Sequence, residues 1–292
     1  MLSLFYMWHV RRDDLIAQHD FYVAEGKARI TEQFSDSQRL EHEAKEKAEQ
    51  WLSSVYFDPD RDDPADMYEQ ANDLEIQLYS SLDELGNSFR LALISGMFHR
   101  WECAVRDWLT CNDGVLYWSK GTVLPQAIWK ANFHQIFELF ECAGLFPAED
   151  EVKNTLNKCR LVVNTYKHGR GSSLDELKHI YPELLDRYQL GKEYEWFSAE
   201  HRSYDDLYIP PSMIDEFSGA IVEFWRAIPE HIMEDDFSNF PAWFDRAINK
   251  ASISVVDNDA KQSGFGMLTS QHKKAVPVDF DPATQMQRNE EI

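Results

Sequence analysis

The chain is poor in glycine, in basic residues and in long apolar runs, and each shortage removes a class of protein. With 12 glycines in 292 residues and no P-loop, G-x-S-x-G or H-E-x-x-H arrangement, it lacks the phosphate cradle, the nucleophile elbow and the zinc helix. Four cysteines, Cys103, Cys111, Cys142 and Cys159, form no C-x-x-C pair, so no zinc knuckle or redox motif is present. Reduced, buried thiols in a cytoplasmic protein are the expectation, with no metal and no cofactor. Basic residues number 29 against 51 acidic ones, a formal charge of -22 that repels nucleic-acid phosphates and confines any RNA contact to a local patch. The opening MLSLFYMW is apolar for only about seven residues, too few to span a bilayer. With no basic residue ahead of it, it is also unlike a secretory signal, and it predicts a packed N-terminal segment and no membrane partner.

What the chain does contain is helix-forming and aromatic. Nine Trp and eighteen Phe, within 43% hydrophobic residues and with few β-branched runs, predict an all-α fold, a helical bundle with long antiparallel helices. Ile30, Phe34, Leu40, Ala44, Ala48 and Trp51 make a thin apolar stripe that predicts helix from about Asp14 to Val55, so that 1–57 is an N-terminal helical segment packing on the bundle. The stretch DPDRDDPAD interrupts it, and Asp63 before Pro64 reads as an N-cap followed by proline at the first helical position. A helix from Ala65 to about Thr110 is expected next, kinked near Gly86 or Gly96 and apolar nearly all round in its second half. Helices over 124–143 and through AEDEVKNTLNKCRLVVNTYKHG should follow, then short ones at 173–187, 212–232 and 241–250. The bundle with its C-terminal helices thus occupies 58–251. Residues 190–211 read as an ordered, irregular connection, and the polar stretch 252–292 as a flexible tail.

The segment RLVVNTYKHGRG carries the chemistry. At 100° per residue, Arg160, Asn164 and His168 fall within roughly 80° on one helix face, with Lys153 and Asn157 in the same arc. Val152, Leu156, Cys159, Val163 and Tyr166 lie opposite and predict the core face. An imidazole exchanges protons with a ribose 2′-hydroxyl or a leaving 5′-oxygen, a guanidinium holds phosphate, and an amide fixes either by hydrogen bonds. The same residues also read as a solvated helix face, with His168 and Gly169 closing the helix as a C-cap that favours its dipole.

A helix ending in Asn-x-x-x-His-Gly with an upstream arginine resembles the signature of HEPN-domain proteins, and NTYKHG (Asn164 to Gly169) is the matching stretch. The resemblance covers the helices from about 65 to 185. It implies a four-helix-type bundle of bacterial toxin–antitoxin, abortive-infection or other defence systems. Many such proteins are metal-independent endoribonucleases acting as homodimers on an RNA substrate. By the same resemblance His168 is the acid/base, Arg160 the phosphate holder with Arg170 in reserve, and Asn164 the positioning residue. The family's arginine usually directly precedes the polar residue; here Val163 stands in that place and Arg160 lies one turn further back. The alternative is a non-catalytic acidic helical module that docks or regulates a protein partner or antitoxin.

His99, Glu102 and Arg106 sit three and four apart on an otherwise apolar helix and need partners if buried. HEPN-like bundles often carry a polar residue on that helix, which makes Glu102, supported by His99, the candidate to orient His168 or pair with Arg160. A structural salt-bridge network accounts for the same residues. Asp58, Asp60, Asp62, Asp66 and Glu69 have EF-hand-like spacing, but Asp63 holds the position where a glycine must turn and Pro64 extends it, so an acidic capping loop is expected instead of a calcium site. Acids interleave the rings of Tyr194, Trp196, Tyr204 and Tyr208, which argues for packing or a protein partner over base stacking.

Overall fold

A computed structural model describes residues 3–111, 123–186 and 201–251, and those residues form an all-α fold. A strand β1 (Ser3–Tyr6) leads into α1 (His9–Arg29), a 3-10 turn (Thr31–Phe34) and α2 (Ser37–Ser54). Next, α3 (Pro64–Thr110) runs 47 residues without a break, about 70 Å at the helical rise. Then come α4 (Val123–Lys130), α5 (Phe133–Cys142), α6 (Glu151–His168) and α7 (Ser172–Ile180). Finally α8 (Ser212–Ala227) precedes a short strand β2 (His231–Met233) and a helical stretch α9 at 242–251. The expected tail at 252–292, the loop at 112–121 and the 190–200 part of the expected connection lie outside the described residues.

Several boundaries differ from expectation, each for a local chemical reason. The helix expected across Asp14 to Val55 is two helices, because Asp36 accepts hydrogen bonds from the Gln38 and Arg39 amides and starts α2 afresh. The helix expected over 124–143 is also two: Asn132 and Gln135 exchange side-chain and backbone hydrogen bonds of 3.0 Å in a capping box that opens α5. No kink is needed at the α3 glycines, which are spent on close approach instead: a Cβ on Gly86 would collide with Phe34 and one on Gly96 with Tyr22. Asp63 caps α3 through the Ala65 amide at 2.9 Å, with Pro64 at the first position, as the sequence predicts. The N-terminal segment packs as expected, with Leu4, Phe5 and Met7 buried, but as a strand paired antiparallel to β2, Tyr6 opposite His231.

The core is aromatic and lies at one end of α3. Trp108 is fully buried, stacks on Phe140 at 6.2 Å, meets Trp225 edge-on at 6.4 Å and donates its indole N–H to the Tyr6 carbonyl at 2.9 Å. Phe137, Phe146 and Phe224 complete the layer between α3, α5 and α8. Two buried polar residues on α3 anchor the irregular segment leading to α8. Asn87 donates to the Leu207 carbonyl and accepts from the Ile209 amide, and Arg90 donates to the Ile209 carbonyl at 2.7 Å. Upstream of Gly86, by contrast, α3 buries only Ala71, and with α2 it makes a solvated hairpin.

Candidate functional site

The polar stripe of α6 exists as predicted, and the packing of the helix makes it a seam. Asp150 caps the N-terminus through the Lys153 amide at 2.9 Å, and Gly169, at φ 64°, closes the C-terminus with its amide on the Thr165 carbonyl. Leu156, Cys159, Leu161, Val162, Val163 and Thr165 are buried. They cover most of the helix circumference, and the arc left over is the one bearing Lys153, Asn157, Arg160, Asn164 and His168. Tyr166, expected on the core face, is exposed, although its neighbour Thr165 in the same turn is fully buried, so it lies at the edge of the packed face.

Arg160 is tied down. Its Nε donates to Asn157 Oδ1 at 2.9 Å, its NH2 reaches Glu176 Oε2 on α7 at 3.2 Å, and its guanidinium lies over the Phe133 ring at 5.6 Å. Lys153 is paired with Glu141. His134 stands beside this cluster, and burial, with the Arg160 charge second, holds its imidazole below the ordinary value. A phosphate approaching Arg160 has to displace the Glu176 carboxylate. His168 is exposed, eight residues on from Arg160, about 12 Å along the helix axis. Asn164 is half-buried and Arg170 exposed beyond the helix end.

The partner expected on α3 is engaged elsewhere. Glu102, the candidate to orient His168 or to pair with Arg160, instead meets Arg106 at 3.5 Å, while Arg106 also donates to the Ala131 carbonyl at 3.1 Å. The reason is spacing: the two stand at i and i+4 on one helix face, and Arg106 ties α3 to the end of α4. His99 is exposed, with its ring 3.7 Å from Cys103 Sγ. The structural-network account therefore holds for Glu102 and Arg106, without His99. Of the four thiols expected to be buried only Cys159 is, on the core face of α6; Cys103 and Cys142 are half-buried and Cys111, past the end of α3, is exposed. The acidic loop also behaves as caps: the Asp62 carboxylate accepts from the Asp58 amide and the Asp58 carboxylate from the Asp60 amide. No group of metal-binding side chains occurs among the described residues.

Local charge is uneven in a way the total conceals. Residues 152–174 contain no acid and carry Lys153, Lys158, Arg160, Lys167 and Arg170, so α6 is a basic strip in an acidic molecule. Residues 31–90, holding α2 and the first half of α3, have sixteen acids against five bases.

Sequence reasoning missed a groove between α1 and α3. Its volume is about 720 Å³, its walls include Ala17, Phe21, Gly26, Ile30, Phe89 and Leu93, and Phe21 is 69% exposed beside it. The missed signal is the pair Ala17 and Phe21, about 40° apart on α1 and apolar on a helix side that otherwise carries Asp14, Gln18, Glu25 and Arg29. Among the described residues no helix is long and apolar enough to cross a membrane. Set against known proteins, the chain matches no family model, no curated protein and no solved structure.

Proposed function

We propose that this protein is a non-catalytic acidic helical interaction module whose α1/α3 groove takes an amphipathic helix of a partner protein, one with an apolar face and a basic extension. The groove is the observation that carries the reading. From Asp14 to Ile30 it follows α1 for about 24 Å, the length of four helical turns and room for anchors at i, i+4, i+7 and i+11. Its lining is mostly apolar, and an exposed Phe21 is expensive surface for a protein to maintain without use. Charge selects the partner. The Ile30 and Phe89 end adjoins the hairpin with its sixteen acids against five bases, a field that draws in a lysine-rich extension and repels an acidic one.

The experiment uses the full chain and two labelled helical peptides of 16 apolar-faced residues, roughly the groove's length, one extended by lysines and one by glutamates. The lysine peptide binds saturably, Phe21→Glu weakens it at least about tenfold, and high salt weakens it further. Equal binding of the two peptides, or indifference to Phe21→Glu, overturns the reading.

A second reading is the HEPN-like endoribonuclease of a defence or toxin–antitoxin system, working as a homodimer. The basic strip of α6, ending in the exposed Lys167, His168 and Arg170, supports it. It expects RNA cleavage with EDTA present that His168→Ala abolishes, and an active alanine variant removes it. Such cleavage would also sink the non-catalytic reading.

A further inference from the structure

Further along the same two helices lies a second, smaller cavity of about 340 Å³, closed on its third side by α8. Arg11, Leu15, Gln18 and His19 of α1 line it, with Arg100, Trp101, Cys103, Ala104 and Asp107 of α3 and Ile221 and Trp225 of α8. The register of the antiparallel helices orders these residues. Gly26 abuts Leu93 and Gly96 abuts Tyr22, so position 19 of α1 falls opposite 100 on α3 and position 11 opposite 107. One end of the cavity therefore has Gln18, His19 and Arg100, and the other has Arg11 with Asp107.

Acids claim several of the other partly buried cations: Lys27 pairs with Asp215, Lys153 with Glu141, Lys158 with Glu216 and Arg160 with Glu176. Arg11 and Arg100 make no ion pair among the described residues, and Arg100 only lies over the Tyr22 ring at 5.1 Å. Two guanidinium groups thus line one cavity with no ion-pair partner among the described residues. A second observation concerns the floor. Trp101 is 4% exposed, and its indole Nε1–H has no hydrogen-bond partner among the described residues, an orphaned buried donor. His19 is also buried, its Nε2 2.9 Å from Ser218 Oγ, which fixes the ring against α8.

We propose that this cavity is a binding site for a small organic anion, its carboxylate or phosphate group held by Arg100 and its apolar or aromatic body resting on the Trp101 and Trp225 rings, while Arg11 adds positive charge at the far end. Guanidinium forks suit both head groups, because each offers paired oxygens to parallel N–H donors. Asp107 lowers the net charge at the Arg11 end, so Arg100 carries the larger share of the recognition. The volume suits a single-ring molecule and excludes a polymer. The proposal does not rest on the partner-helix reading; the two sites share only Gln18 and Arg100.

Titration of the full chain with phenyl phosphate, with benzoate and with benzylamine, at fixed ionic strength, tests it through tryptophan fluorescence and the melting temperature. The expected result is a saturable fluorescence change and a raised melting temperature with at least one anion and none with benzylamine; the stronger anion identifies the head group. Arg100→Gln weakens that binding about tenfold or more, as loss of a charge-assisted pair does. Arg11→Gln weakens it less, while Arg226→Gln and Phe21→Glu leave it unchanged. Arg100 is exposed, so an unaltered circular dichroism spectrum separates lost binding from lost folding. Absence of a saturable response to both anions, an equal response to benzylamine, or unchanged binding in Arg100→Gln overturns the proposal.

Discussion

The two halves of α3 are one continuous helix held by different physics. From Pro64 to Leu85 it buries a single alanine, and it forms through its Asp63 cap, its proline start and the company of α2. From Gly86 to Leu109 it is the spine of the core, burying Ile94, Met97, Phe98, Trp101, Val105, Trp108 and Leu109 among the aromatic rings of α5 and α8. The acidic half thus has high charge and little apolar burial, and the core half the reverse. Helical stability in proteins comes mainly from tertiary packing, so the halves should respond oppositely to truncation, pH and salt. Both grooves along α1 lie on the core half, where rigid walls exist.

Truncation gives the largest contrast. Trp108→Ala removes a fully buried ring with three aromatic neighbours and a hydrogen bond, and a loss of about 3–5 kcal/mol is expected in urea unfolding. Tyr68→Ala, on the hairpin at 67% exposure, should stay within about 0.5 kcal/mol. A comparable loss at Tyr68 would mean that the hairpin is no solvated arm. Next in size is the junction between the halves. Asn87→Leu strands the Leu207 carbonyl and the Ile209 amide in the interior, at a cost of about 2–4 kcal/mol. It should also raise hydrogen exchange in 207–211 before it does so in α6.

How far the sequence announced this depends on how local the signal is. Asp63-Pro64, the Asp150 cap and Gly169 act through the nearest turn, so the start of α3 and both ends of α6 were legible. The breaks at Asp36 and Asn132 are equally local, but the apolar stripe continues across both and conceals them. The short β1/β2 pair was illegible because its register is set across more than two hundred residues of chain. At the candidate site, periodicity placed Arg160, Asn164 and His168 on one arc correctly. It carries no information on which acid lies across the gap, so Glu176 and not Glu102 was the partner to find. The groove and the smaller cavity were invisible for the same reason: each is made of two or three helices.

Acid sharpens the comparison more gently. Burial is the largest cause holding the His19 imidazole below its ordinary value of 6.5, with the Arg100 charge acting in the same direction and Asp20 and Ser218 opposing. A base with a lowered folded pKa takes up its proton more readily when unfolded. Its effect on stability is nil above the unfolded value, and stability falls as pH drops through 6.5 toward the folded value. Urea midpoints measured from pH 7.5 to about 5 should therefore fall in the wild type and fall less in His19→Gln. Equal slopes would place the pH sensitivity outside the α1/α8 contact.

Salt is the smallest lever and acts on the other half. Screening shortens to roughly 3 Å at molar ionic strength, so added sodium chloride weakens the repulsion among the hairpin acids far more than it weakens exposed pairs such as Lys47–Glu43, worth little already. Amide exchange in α2 should slow by about two- to threefold between low and high salt. Amides of α5 and α8, whose stability is apolar, should hold constant or slow only with the global transition. Faster exchange in α2 at high salt would show that its ion pairs outweigh its charge surplus. The acidic half would then be a structure held by electrostatics, not one that tolerates them.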